Sequence, residues 1–293
     1  MTAPSIAAAL AAARGAIPIG EARLLLRQAL GRPAAYLEAH REDRLPAAAA
    51  ACYAEWVKRR AAGEPIAYLI GTREFFGREF AVTPDVLIPR PETEMLVELG
   101  IAKLKRSPRL QPPRILDLGT GSGCVAVSLA LEVPVAQVTA LDVSAAALQV
   151  AQRNAQRHGA RLCCIESDWF AALDQRRYDL IVANPPYVAE QDEHLSQGDL
   201  RFEPPNALAS GSDGLDALRR IVGEAAQHLP PGGWLLFEHG YDQAEAARAL
   251  LQDAGFAKIE QHRDLAGIVR VSGGRASEAP EAAFWVPARL PAT

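Results

Sequence analysis

Ile115-Leu116-Asp117-Leu118-Gly119-Thr120-Gly121-Ser122-Gly123-Cys124 decides the fold. An apolar run carrying one acid passes into three glycines at alternate positions, and Val125 to Leu131 then continues apolar at helical spacing. This reads as strand, tight loop and helix. Glycine at 119, 121 and 123 removes the side chain where backbone must touch a ligand or take positive φ. A dinucleotide loop spaced G-x-G-x-x-G wants its third glycine at 124, but that residue is Cys124. Asp142 closes the next apolar run, Val138 to Leu141. A carboxylate at such a strand end can accept from both hydroxyls of a ribose.

Outward from this loop the pattern keeps alternating. Ala145 to Arg157 predicts a helix, Leu162 to Ile165 a strand, and Leu180 to Val182 a strand. Leu215 to Leu229 and Gln243 to Asp253 predict helices around a strand at Trp234 to Phe237, with last strands at Ile259 and Val269 to Val271. Such alternation predicts an α/β fold with a parallel sheet covered on both faces, its ligand at the carboxyl edge. Upstream, the first seventy or so residues carry helical periodicity broken at Gly15, Pro18, Gly31 and Pro33. Phe75 to Val82 around Gly77 predicts a hairpin, and Ile88 to Glu94 leads into a helix with Thr93 as its cap. The expected division is a helical domain at 1–73, a hairpin linker at 74–92, a catalytic domain at 93–275 and a tail at 276–293. A chain starting near Val82 is expected to keep ligand binding, provided it folds, with recognition of a large substrate left to the helical part.

The chain has 293 residues, 49% hydrophobic and 23% charged, which suits two globular domains. Its net charge of −4 lacks the basic footprint of a protein that grips long nucleic acid. Cys52, Cys124, Cys163 and Cys164 form no metal-ligand spacing, so no metal is expected and the thiols read as reduced. No apolar run is long enough to span a bilayer, and Met1 to Ala13 reads as a helix start rather than a leader. A cytoplasmic monomer is expected.

Asn184-Pro185-Pro186-Tyr187 ends the strand at Leu180 to Val182, on the same edge as the glycine loop. Two prolines remove two backbone donors and fix two φ angles, which leaves stiff carbonyls with few competing N–H groups. With the Asn184 side-chain oxygen they can accept both hydrogens of a planar NH2 group. Asn184 and Pro185 are the candidate catalytic residues; Pro186 and Tyr187 would help hold the substrate. Ser167-Asp168-Trp169-Phe170 follows the preceding strand. An acid and a large ring there suit an adenine, Asp168 near its amine and Trp169 along the base; alternatively Trp169 is a core ring.

The glycine spacing after Asp117 resembles methyltransferase motif I, and Asn-Pro-Pro-Tyr downstream resembles the enzymes that methylate planar NH2 groups. These include adenine-N6 enzymes of nucleic acid and glutamine-N5 enzymes of protein. The flanks resemble the second branch, the release factor glutamine methyltransferases. Matching stretches are Ile88 to Glu94, Gly198 to Pro204, Asp213-Gly214-Leu215, Glu238-His239-Gly240 and Asp264 to Gly267. The resemblance implies a Rossmann-like class I methyltransferase sheet with a small N-terminal helical domain joined by a β-hairpin. It implies S-adenosyl-L-methionine as methyl donor, held by Asp117, Gly119, Thr120, Gly121, Ser122, Gly123, Asp142, Asp168, Trp169 and Asn184. It implies Asn184, Pro185, Pro186 and Tyr187 around the substrate amide, a glutamine in the Gly-Gly-Gln loop of class I peptide chain release factors. No direct nucleic-acid partner is expected. Arg90, Glu92, Arg201 and Glu203 are secondary candidates that could equally be loop salt bridges, and His194 and His239 read as structural.

Overall fold

A computed structural model describes residues 3–105 and 111–277. The expected tail lies outside them, apart from Ala276 and Ser277. Five helices open the chain: α1 (Ile6–Ala12), α2 (Ile19–Leu30), α3 (Ala34–Ala39), α4 (Ala47–Ala61) and α5 (Ile66–Ile70). Ser5 caps α1 by accepting from the Ala8 N–H, and Gly31 ends α2 in the left-handed conformation. Their apolar faces close on one core that includes Ile6, Leu25, Leu26, Leu37, Tyr53 and Leu69.

Gly71, at φ +76°, stops α5 and turns the chain into a hairpin of β1 (Thr72–Phe75) and β2 (Arg78–Ala81). The hairpin therefore starts within the stretch expected to be helical. It is not a removable tether. Phe75 and Phe80, 1% and 0% exposed, belong to the catalytic core with Leu96, Val125 and Ala155. A cut at Val82 would strip both rings from that core, so the folding on which the expected tolerance depends loses two of its core members.

The catalytic part runs α6 (Glu94–Lys105), β3 (Arg114–Leu118), α7 (Cys124–Glu132), β4 (Gln137–Asp142), α8 (Ala145–His158), β5 (Leu162–Glu166) and β6 (Leu180–Ala183). It continues with α9 (Asp216–Ala225), β7 (Trp234–Glu238), α10 (Ala244–Asp253), β8 (Ala257–Arg263) and β9 (Val269–Arg275). The seven strands lie in the order β5-β4-β3-β6-β7-β9-β8, all parallel except the β7–β9 and β9–β8 pairs. β6 shows how both faces are filled. Leu180 and Val182 join the core under α6 and α7, while Ile181 and Ala183 join the opposite core under α9 and α10. Among the described residues no helix is long and apolar enough to cross a membrane.

Strand register sets the site. Leu118 pairs with Leu141 of β4 and with Ala183 of β6, and Ala183 pairs with Phe237 of β7. The next residues, Gly119, Asp142, Asn184 and Glu238, therefore leave four adjacent strands at one level.

Gly119, Gly121 and Gly123 all hold positive φ, +69°, +53° and +79°. A Cβ on Gly123 would also stand 2.9 Å from the Ala151 Cβ of α8, whereas one on Gly121 would meet nothing within 4 Å. Gly121→Ala should therefore cost only the left-handed strain, about 1–2 kcal/mol. Gly123→Ala adds steric overlap, for a total of about 2–5 kcal/mol. Urea melts of the two variants check the order; equal losses would remove the packing argument.

Candidate active site

Asp142 ties the glycine loop to its sheet. Its Oδ2 accepts from the Gly121 N–H at 2.9 Å and its Oδ1 from the Ser144 N–H at 2.9 Å. Each carboxylate oxygen keeps a lone pair for a further donor. Thr120 N–H donates to Leu141 O at 2.7 Å, and its hydroxyl donates to Asp117 Oδ2 at 2.7 Å. Asp117 is 2% exposed, and burial pushes its carboxyl up to about 7. Ser122 O accepts from Asn154 Nδ2 of α8 at 2.8 Å. The same amide bonds both backbone groups of Ala81, so one fully buried residue joins loop and hairpin. Gly123 precedes α7 and has no side chain to cap it, and Asp117 takes the Ala126 N–H, so the N–H groups ahead of Ala126 are those that can face an anion.

Asp117, Gly119 to Ser122, Asp142 and Ser144 line a cavity of about 260 Å³. Its far wall comes from Ser167, Asp168 and half-buried Trp169, whose φ of +51° is held by Ser167 Oγ donating to Trp169 O. A Cβ on Gly119 would lie 3.7 Å from the Trp169 ring, so the ring borders the loop as well as packing on the core. Asp168 sits at the exposed rim with its Oδ2 taken by Arg220 at 2.7 Å. The linker, unforeseen as a wall, contributes Asp85, Val86 and Pro89; Asn206 and Ala207 close the cavity from the loop after β6.

Asn184 and Pro186 reach the cavity, while Pro185 is buried behind them and Tyr187 turns away. Tyr187 OH donates to Glu238 Oε1 at 3.2 Å, and its carbonyl is fixed by Gln243 Nε2 at 3.0 Å. Asn184 Nδ2 donates to Thr93 Oγ1 at 3.1 Å, and Thr93 donates onward to Glu238 Oε2 at 2.7 Å. Thr93 is thus not the helix cap expected of it. A 3-10 turn, Pro91–Thr93, precedes α6 and directs its side chain into the sheet edge. Asn184 Oδ1 is buried with no partner among the described residues. Thr93 and Glu238 were missed as site residues; only their place in the matched flanks marked them.

The other candidates resolve into scaffolding. Glu203, 3% exposed, accepts from the Ile88 N–H at 3.0 Å and pairs with Arg90. Arg201 donates to Ala62 O at 2.8 Å, and Arg60 bridges Glu21 to Asp199, so the loop after β6 is strapped to the helical part. Glu92 adjoins Thr93 on the 3-10 turn. His239 is fully buried, donating from Nδ1 to Gly240 O and accepting at Nε2 from Ser272, with its pKa lowered by burial. His194 is exposed and bonded to Asp192. Among the described residues no group of three or more His, Cys, Asp or Glu could hold a metal.

This fold and this edge define a class I methyltransferase. The chain matches the family described as Methyltransferase small domain over residues 98–211, and the PrmC N-terminal domain over residues 5–71. It is 57% identical over 259 residues to the release factor glutamine methyltransferase of Bordetella pertussis, covering 88% of this chain and 95% of that one. The Burkholderia pseudomallei enzyme of the same name is 54% identical, with 87% and 91% covered. The chain belongs to the release factor glutamine methyltransferase family. A solved methyltransferase from Pyrococcus furiosus shares the fold at TM-score 0.52 and 18% identity, covering 75% of this chain and 98% of that one.

Removing a preorganised acceptor at a reacting group costs on the order of 10²–10³ in rate, and Asn184→Ala should lose that much turnover. Asn184→Asp, which keeps an acceptor of similar size, should do no better. Its second oxygen would face Thr93 Oγ1, whose proton is already committed to Glu238. Steady-state kinetics of both variants checks this; an aspartate variant well above the alanine variant would show that the Thr93 contact is unimportant.

Proposed function

We propose that this chain transfers a methyl group from S-adenosyl-L-methionine to the side-chain amide N5 of the glutamine in the Gly-Gly-Gln motif of class I peptide chain release factors. The observation that carries the reading is the unpartnered, buried Asn184 Oδ1 on the cavity wall, level with the glycine loop. It is an acceptor waiting for a donor. Family membership supports the substrate class. In this reading residues 1–73 recognise the protein substrate, 74–92 connect, 93–275 perform the transfer, and 276–293 form a tail. The chain acts as a monomer in the cytoplasm.

The residues present fit the donor molecule. Asp142 has lone pairs for ribose hydroxyls, Trp169 offers a ring for the base, and Asp168 stands at the rim near it. Asp117 would meet the ammonium, the start of α7 would take the carboxylate, and Gly119 to Gly123 with Thr120 and Ser122 would let backbone approach. S-adenosyl-L-methionine supplies an activated methyl carbon when bound. An amide nitrogen is a poor nucleophile because its lone pair is delocalised into the carbonyl. Asn184 Oδ1 and the Pro185 carbonyl would accept its two hydrogens, hold it in line and favour the charge that develops. Pro186 walls the site, and Tyr187, anchored on Glu238 and Gln243, keeps that carbonyl rigid.

Purified release factor, incubated with this protein and the methyl donor, should gain the mass of one methyl group on the Gly-Gly-Gln glutamine. Methylation of DNA or RNA instead would overturn the reading. A further outcome concerns pH. Burial holds Asp117 up to about 7, and a bound cation draws it back to the ionised form. Binding of the cationic donor should therefore release a proton near and below pH 7, and affinity should rise as pH climbs through about 7. Calorimetry in buffers of different ionisation enthalpy measures the proton; pH-independent binding would place the ammonium elsewhere.

A further inference from the structure

The amide of Asn184 can be turned over without changing its shape, because oxygen and NH2 occupy nearly equal volumes. Catalysis by acceptance works only one way round. Nothing within Asn184 selects that orientation, so the selection must come from its neighbour.

The neighbour is Thr93, 2% exposed, whose single hydroxyl proton goes to Glu238 Oε2 at 2.7 Å. Burial pushes the Glu238 carboxyl up to about 7, against the pull of the Thr93 and Tyr187 hydroxyls. Above that pH it is ionised and has only acceptors to offer, so Thr93 has no proton left for Asn184. Its oxygen presents lone pairs, and these are compatible with NH2 alone; a carbonyl there would set two oxygens against each other. Nδ2 therefore lies on Thr93 at 3.1 Å, and Oδ1 is left without a partner. The same carboxylate takes Tyr187 OH on its other oxygen at 3.2 Å. Glu238 is 2% exposed, and strand register places it next to Asn184 at the edge. One buried acid thus aligns two residues of the Asn184 to Tyr187 motif.

We infer that Glu238 and Thr93 are positioning residues that fix the polarity of the Asn184 amide, with its oxygen towards the substrate. This rests on the functional reading above. Neither residue needs to touch the substrate amide. Their effect is carried through Asn184, and that makes them separable from residues that merely fill space. Burying an acid where an apolar residue would pack well is costly, and a carboxylate that directs two hydroxyls gives that cost a use.

Thr93→Val keeps the shape and removes both hydrogen bonds; Thr93→Ser keeps the hydroxyl. Losing control of a reacting group's orientation should lower kcat of Thr93→Val by about 10- to 100-fold. KM for the release factor and affinity for the donor should stay within about twofold, since the change acts on a group that matters in the transition state. Thr93→Ser should recover most of the turnover. The deciding measurement is a double-mutant cycle with Asn184→Ala. If Thr93 acts through Asn184, Thr93→Val costs nothing further once Asn184 is alanine. Independent losses that multiply, equal losses in the valine and serine variants, or a loss confined to KM would each overturn the inference. Should Thr93→Val fail to fold, Glu238→Gln enters the same cycle, read by the same two outcomes. A wild-type chain that leaves the release factor unmethylated overturns the functional reading and this inference with it. Wild-type activity with a multiplicative cycle overturns this inference alone.

Discussion

The parallel pairing of β3 with β4 on one side and β6 on the other is the constraint on which the rest depends. Strand order reverses at β3, with all these strands parallel: β4 and β5 build one way, β6 and β7 the other. A crevice opens at such a reversal, because the loops leaving the neighbouring strands turn apart. The pairing Leu118 with Leu141 and Ala183 leaves no freedom about which residues face that crevice. A slip of one residue would send Asp117 from the α7 side into the core under α9 and α10, and Asn184 would leave the edge one step out of line. Asp142 then pins the loop by its backbone, so that three left-handed glycines are held in a single conformation.

The helical part is bound to this frame by two different kinds of contact. Ala67 and Tyr68 of α5 are buried against Val82, Val86 and Ile88, and Tyr68 OH donates to Val86 O at 2.7 Å. That contact is apolar and close to the linker. The second is polar and more exposed, through Arg60, Arg201 and the loop after β6. Exposed ion pairs contribute little to stability. The seam that adjoins the Asn184 loop is therefore the weaker one, and the apolar seam carries the attachment.

The glycine loop and the Asn-Pro-Pro-Tyr turn were legible because each is written in consecutive residues with backbone consequences. Glycine at alternate positions and paired prolines restrict φ in ways few other sequences do. The alternating elements were legible too, with ends misplaced by up to four residues, as where a 3-10 turn at Ala226–His228 follows α9 and where β9 runs on to Arg275. Thr93 was misread because a threonine before an acidic helix start has the local signature of a cap. Its true partner, Glu238, is 145 residues away and joined to it only by sheet register. Asn154 was invisible for the same reason: one asparagine inside an amphipathic helix carries no sign that it bonds Ala81 and Ser122. The hairpin was found as a hairpin, yet the burial of Phe75 and Phe80 in the catalytic core depends on a packing partner that periodicity does not name.

β9 inserts between β7 and β8, antiparallel to both, and is the last described strand. Order of synthesis gives this arrangement a cost. The helices up to Leu69 can close their own core early, since all its members lie within one stretch. The sheet cannot. A growing chain that has reached Gly240 holds the glycine loop, Asn184 and Glu238, yet β7 still has an open edge and His239 lacks Ser272. Such a chain exposes unpaired strand groups of the kind that invite aggregation. Every residue proposed to do chemistry is made before the strand that seals the sheet beside Glu238, so the nascent protein must wait with its site written but unsupported.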